Sequence, residues 1–176
     1  MRILSPILLS LFFLFSCTKD VDFDQANNII LTPTAEASLA FTSANASDFL
    51  INGFEITAPT FDAIDIDIFN DESFNDNITR VDLVFETENT LSRDFQFTIG
   101  FINDALIEFE TFSFSTADSS PHIITFEGAD LELLKTISSL SYTIQLITSS
   151  GVPLTSSSTG EVTLKSKGVF YLNIEA

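Results

Sequence analysis

The sequence predicts an all-β protein: an antiparallel β-sandwich crossed by one short helix. Three observations predict it. From residue 34 onward, apolar side chains recur at every second position, the spacing that puts them on one face of a half-buried strand. Turn-forming residues separate these runs at intervals of roughly 8–15 residues, as in sandwiches. Only one segment departs from this period and keeps a helical one.

The runs follow in order. Ala35, Ala37, Leu39 and Phe41 make the first strand, and Ile64, Ile66 and Ile68 alternate with Asp65 and Asp67. Val81, Leu83 and Phe85 form the next, then Phe95, Phe97, Ile99 and Phe101. Ile107 and Phe109 open a strand whose apolar set shifts to Phe112 and Phe114, which requires one inserted residue, a β-bulge. Ile124 and Phe126 follow Pro121, and Tyr142, Ile144 and Leu146 form another run. Val162 and Leu164 are expected to pair with Phe170, Leu172 and Ile174 across a turn at Ser166-Lys167-Gly168. Asn52-Gly53, Asn70-Asp71, Asn103-Asp104, Gly128 and Gly151 mark the turns, and the Ser/Thr-rich stretch 149–159 reads as a loop. The exception is Asp130–Ile137: Leu131, Leu134 and Ile137 share a helical face, with Asp130 placed as its N-cap. This short helix is expected to cross between sheets. The count is about nine strands. A closed barrel is the alternative.

The stretch from Arg80 to Ser113 resembles strands of an immunoglobulin-like or fibronectin-like domain. It has neither Trp nor paired Cys, so the antibody hallmarks are absent. The core must be built on phenylalanine, each worth ~1.5–3 kcal/mol of transfer free energy when buried.

The N-terminus predicts a location. Arg2 leads an apolar run, Ile3 to Phe15, and a small residue, Ser16, follows. At ~1.5 Å per helical residue the run falls short of a ~30 Å hydrocarbon core, so it reads as a secretory signal rather than a span. Leu14-Phe15-Ser16-Cys17 resembles a bacterial lipobox, although Phe15 is bulkier than usual there. That resemblance implies cleavage before Cys17 and acylation of its thiol, with two or three chains at ~0.8 kcal/mol per buried CH₂ holding the protein to the membrane. The alternative is an ordinary signal with a coincidental Cys. The segments expected are a signal peptide at 1–16, an acidic tether at 17–33 and the β-sandwich at 34–176. Cys17 is the only cysteine, so no internal disulfide is available.

Lys19-Asp20-Val21-Asp22-Phe23-Asp24 is similar to the acidic export signal of surface lipoproteins in Bacteroidota. A solvated linker is the other reading. Lipobox, acidic leader and one Phe-rich, Asp-rich β domain together resemble the small lipoproteins of flavobacteria. The resemblance implies attachment to the outer membrane, with display on the cell surface favoured over the periplasmic face. It implies no known activity.

Composition excludes one class of partner. Asp and Glu number 25 against 7 Lys and Arg, a net charge of −18, which repels nucleic acid. The acids crowd between Asp62 and Asn77, where Asp71, Glu72 and Asp76 are calcium candidates on a turn. The spacing of an EF-hand is missing, and a solvated acidic face is the competing reading. No other metal and no cofactor is expected.

No catalytic constellation emerges. The single histidine, His122, stands at a strand entrance without a nucleophile motif and reads as structural. Carboxylate pairs are inevitable among so many acids and identify no glycosidase. A sugar platform would have to rest on Tyr171, since Trp is absent and Tyr142 sits at a core-facing position. The expectation is therefore a non-catalytic binding, adhesion or accessory module with a protein or glycan partner. A carbohydrate-binding component of a glycan-uptake system is the alternative.

Overall fold

A computed structural model describes residues 30–57 and 60–175. Residues 31–174 form one compact unit, and the description concerns that unit. The expected signal, Cys17 and the acidic leader lie outside the described residues.

Among the described residues, ten strands and two α-helices lie wholly within the unit. The strands are β1 (Thr34–Asn45), the short pair β2 (Leu50–Ile51) and β3 (Phe54–Glu55), β4 (Thr60–Asp65), β5 (Ile78–Asn89) and β6 (Asp94–Asn103). They continue with β7 (Glu108–Ser115), β8 (His122–Glu127), β9 (Ile137–Ile147) and β10 (Glu161–Leu172). The helices are α1 (Glu72–Asn77) and α2 (Gly128–Leu134).

Eight strands build two antiparallel four-stranded sheets, β1-β10-β5-β8 and β4-β9-β6-β7, while β2 and β3 form a separate hairpin. The all-β expectation therefore holds. The immunoglobulin-like expectation does not match the strand order. An immunoglobulin sandwich places its first two strands together in one sheet. Here β1 and β4, the first two strands of the four-stranded sheets, lie in different sheets, and the last strand, β10, inserts between β1 and β5. Eight strands wound in this order are a jelly roll. Local alternation is the same in both folds, because it reports which face of a strand is buried and not which strand lies beside it.

Phenylalanine is the commonest residue of the interior: among the described residues nine Phe side chains are buried, and Phe49, Phe95, Phe97 and Phe101 have no exposed surface. Rings meet across the two sheets: Phe101 on β6 and Phe126 on β8 are 5.4 Å apart, and Phe85 on β5 and Phe114 on β7 are 5.7 Å apart. Such tilted and edge-on pairs add to the area they bury.

The expected bulge is present. Ile102 faces Glu108 and Phe101 faces Glu110, so residue 109 is the extra one on β7. The expected helix is also present, one turn earlier than predicted. Glu127 is its N-cap, Leu131 and Leu134 are buried, and it carries the chain from β8 in one sheet to β9 in the other.

Two expectations are corrected. Ser166-Lys167-Gly168 is not a turn, because β10 runs unbroken from Glu161 to Leu172. Ser166 sits opposite a bulge in β1, where its hydroxyl accepts from Ala40 N at 2.9 Å. Gly168 makes room for the Phe170 ring, which would lie 2.6 Å from an added Cβ. The expected acidic turn at 70–77 is mostly helix α1, capped by Asp71 Oδ1 accepting from Phe74 N at 3.1 Å.

Candidate functional site

Each sheet has two edges, β1 is an edge of one and β4 of the other, and they come together where Ala37–Leu39 and Asp65 line one cavity. The β4–β5 connection runs past the inner face of β1. Its conformation is set by two aromatic residues. Phe74 on α1 packs edge-on against Phe170 at 5.5 Å, and Phe69, in a 3₁₀ turn over Ile68–Asn70, does so at 6.2 Å. Asn75 Nδ2 donates to Phe69 O at 3.3 Å, and Ile66 N donates to Ser138 O at 2.7 Å. Phe69 and Ile66 are thereby buried, while Asp67, Ile68 and Asp71 face β1.

Opposite them β1 presents Ala35 and Ala37. Side chains this small do not fill the space, and a cavity of about 340 Å³ remains. Ala35, Ala37, Ile68, Phe74 and Phe170 give it an apolar lining, Glu36 borders it between the two alanines, and Asp67 and Asp71 place carboxylates beside it. A second cavity of about 170 Å³ continues along β1 between Ala37–Leu39 and Asp65–Ile68. Together they make a groove on the open side of the sandwich. Apolar walls with a few charged groups are the usual make-up of a binding site.

The charges around the groove are unevenly satisfied. Glu36 turns to the outer sheet face and pairs with Lys167 at 2.8 Å. That contact holds the Lys167 ammonium above its usual range. Asp67 and Asp71 have no ion pair among the described residues. The five cations described, Arg80, Arg93, Lys135, Lys165 and Lys167, each pair with a different carboxylate.

The outer face of the β1-β10-β5-β8 sheet carries a polar cluster around Asp82, which is 7% exposed. Its carboxylate accepts from Arg80 Nε at 2.9 Å and Nη2 at 2.8 Å, from Thr125 Oγ1 at 2.8 Å and from Tyr171 OH at 3.1 Å. Burial alone would push the carboxyl up. The hydrogen bonds from Arg80, Thr125 and Tyr171 outweigh burial and hold it below the usual aspartate range. Tyr171 is thus not the bare platform that sugar stacking needs: its hydroxyl is engaged, and Arg80 lies over its ring at 4.8 Å.

The outer face of the other sheet differs in chemistry. Gln96 and Thr98 on β6, Thr111 and Ser113 on β7, and Ser141 and Thr143 on β9 cover it with hydroxyls and amides. Thr98 and Ser113 hydroxyls are 2.9 Å apart. Glu108 folds over Gly100 and accepts from Ser141 Oγ at 3.1 Å.

The remaining expected residues are dispersed. Asp71 lines the groove, whereas Glu72 and Asp76 are exposed on α1. Among the described residues no three His, Cys, Asp or Glu side chains come together as a metal site. His122 faces inward and stacks on Phe114 at 4.3 Å, with Nε2 buried and unpartnered. No described helix is long and apolar enough to cross a membrane. The groove itself was missed from sequence. Its one local signal is the run of small inward residues, Ala35 and Ala37, where other strands carry Phe, Leu or Ile.

No family model and no curated protein matches the chain. Among solved structures it is similar to particles of several viruses. For the semi-empty virus-like particle of the giant freshwater prawn Macrobrachium rosenbergii nodavirus, identity is 13%, coverage 92% of this chain and 89% of that one, and the TM-score 0.36. For turnip yellow mosaic virus the values are 12%, 85%, 96% and 0.36. For the infectious bursal disease virus VP2 subviral particle they are 12%, 82%, 38% and 0.33. At TM-scores this low the likeness decides nothing about this chain.

Proposed function

We propose that the protein is a non-catalytic binding module, held to the outer membrane by acylated Cys17, whose partner docks in the groove beside β1. The observation that carries this reading is the groove: apolar walls fixed by Phe69, Phe74 and Phe170, with Asp67 and Asp71 left without a counter-charge in the described residues. The lipobox resemblance supports the anchor, and the acidic leader supports display on the cell surface.

Photo-crosslinking in intact cells tests it. A benzoylphenylalanine at Ile68, in the groove, is expected to capture one discrete partner, and the same group at exposed Ile123 on the far edge is not. Equal capture at both positions would remove the groove as the site. Protease shaving of the same cells reads the exposed face, and mass spectrometry of the N-terminal peptide reads the lipid on Cys17.

A carbohydrate partner is the second reading, favoured by the hydroxyl- and amide-covered outer face around Thr98, Ser113 and Thr143. Under that reading glycan binding survives Tyr171→Ala and is lost in Thr143→Lys.

A further inference from the structure

We infer that the occupant of the groove is an extended peptide segment bearing Lys or Arg, which adds as a fifth strand to the free edge of β1 along Thr34–Leu39. The inference rests on the groove being the binding site and names the chemistry of its partner.

The first support is a comparison of the four sheet edges. An exposed edge presents unpaired N–H and C=O groups, and folded proteins blunt such edges with charge, proline or short length. β4 is short and carries Asp62 and Asp65, and β7 carries Glu108 and Glu110. β8 is six residues long, enters from Pro121 and ends on Glu127. β1 is twelve residues long and carries one charge, Glu36, which Lys167 already neutralises. Its bulge lies at residues 39–40, so Thr34–Ser38 remain in regular register with β10. No strand pairs with the free side of β1 among the described residues. β1 too is entered from a proline, Pro33, but the stretch Thr34–Ser38 beyond it is regular and carries no unpaired charge, and it is the edge beside the groove.

The second support is side-chain geometry. A strand added to β1 would send alternate side chains inward, over Ala35 and Ala37 and against Ile68 and Phe74. The space the two alanines leave unfilled is where those side chains fit.

The third support is charge. Every described cation is already paired with another carboxylate, so Asp67 and Asp71 are open to a basic group brought by a partner. The whole chain has a net charge of −18, which disfavours a second copy. It also disfavours this chain's own leader, whose Asp20, Asp22 and Asp24 would approach the same carboxylates. A basic strand satisfies edge, cavity and charge together.

The test uses the full chain in phosphatidylcholine nanodiscs and fluorescein-labelled peptides of about ten residues, the length of a strand. One alternates Val with Lys. A second has the same sequence with every other amide N-methylated, which blocks pairing on one side. A third alternates Val with Glu. The Val-Lys peptide is expected to bind about tenfold more tightly than either of the others, a difference of ~1.4 kcal/mol. Asp67→Lys is expected to weaken it about tenfold and the milder Asp67→Asn several-fold, whereas Asp104→Lys, the same charge change in the β6–β7 turn, is expected to have little effect. Equal binding of the methylated peptide, or equal losses in Asp67→Lys and Asp104→Lys, would overturn the inference and leave only general attraction to an acidic chain. Capture of a discrete partner at Ile68 with no binding of the Val-Lys peptide would also overturn it, while the groove reading would stand. Failure of both experiments would remove both.

Discussion

The guanidinium of Arg93 grips the carboxylate of Glu55 from two sides, Nη2 to Oε2 at 2.7 Å and Nε to Oε1 at 2.8 Å. The remaining nitrogen, Nη1, donates to the carbonyls of Thr148, Ser150 and Gly151. One side chain at the head of β6 thereby ties the β2–β3 hairpin to the β9–β10 loop. Both side chains are largely buried, with 7% and 15% of their surfaces exposed. The contact with Arg93 holds the Glu55 carboxyl below the usual glutamate range, against the opposing effect of burial.

Removing one partner of a buried pair leaves the other charge without compensation, whereas replacing both with apolar groups need not. Glu55→Gln and Arg93→Met are each expected to lower the urea midpoint well below that of Lys165→Ala, which breaks an exposed pair on β10. The double variant Glu55→Leu/Arg93→Met is expected to lose less than the sum of the two single changes. Strict additivity in denaturation curves would show that the pair does not act as a unit.

Asp82 gives a pH dependence with a definite sign. Its carboxyl titrates lower in the folded chain than the ~3.9 of an unfolded aspartate. Its contribution is therefore fully present above the unfolded value and is lost as pH falls through the folded one. The stability gap between wild type and Asp82→Asn should be constant from about pH 5 upward and shrink below about pH 4. A gap that stays the same down to pH 3 would mean that Arg80, Thr125 and Tyr171 do not favour the ionised form.

The core offers a test of phenylalanine's role. Phe101 has no exposed surface and packs edge-on against Phe112 and Phe126, at 5.7 and 5.4 Å. Phe101→Ala should cost ~3–5 kcal/mol in chemical denaturation, the usual range for a buried aromatic. A loss near 1 kcal/mol would indicate a core able to collapse around the void.

How much of this was legible in the sequence follows from the range of each interaction. Leu131 and Leu134 announced α2 because a helix reports itself over a few residues. The shift from Phe109 to Phe112 announced the bulge in β7 for the same reason. Ser166 and Gly168 misled because each answers to something other than a turn: a bulge in a neighbouring strand, and the ring of Phe170. Strand order, the Arg93–Glu55 pair and the groove all join residues far apart in sequence, and alternation along one strand carries no record of them. Ala35 and Ala37 hinted at unfilled volume, but the connection facing them begins about thirty residues later.

His122 supplies a change expected to stabilise. Its ring lies parallel to Phe114 within 19°, and Nε2 has no hydrogen-bond partner. A buried polar atom without a partner costs ~1–3 kcal/mol, and phenylalanine keeps the stacking while removing that atom. His122→Phe should therefore raise stability by about 1 kcal/mol in denaturant titrations. A loss of similar size would mean that the nitrogen is satisfied by water.

Two glycines separate backbone strain from crowding. Gly53 has φ of +80° and Gly151 of +57°, so a side chain at either position meets the left-handed penalty of ~1–2 kcal/mol. An added Cβ on Gly53 has no atom within 4 Å, whereas on Gly151 it would lie 1.7 Å from the carbonyl oxygen of Ser92. That oxygen accepts from Val152 N at 3.1 Å, and Ser92 Oγ donates to Val152 O at 2.8 Å, so the two backbones are clasped where the methyl would enter. The intruding group would also press on the loop whose carbonyls hold Arg93. Gly53→Ala should cost about the strain alone, and Gly151→Ala should cost clearly more and loosen the Arg93–Glu55 pair with it. Combining Gly151→Ala with Arg93→Met reads the coupling directly: the second change should add little to the first, and full additivity would show that the clasp and the ion pair are independent.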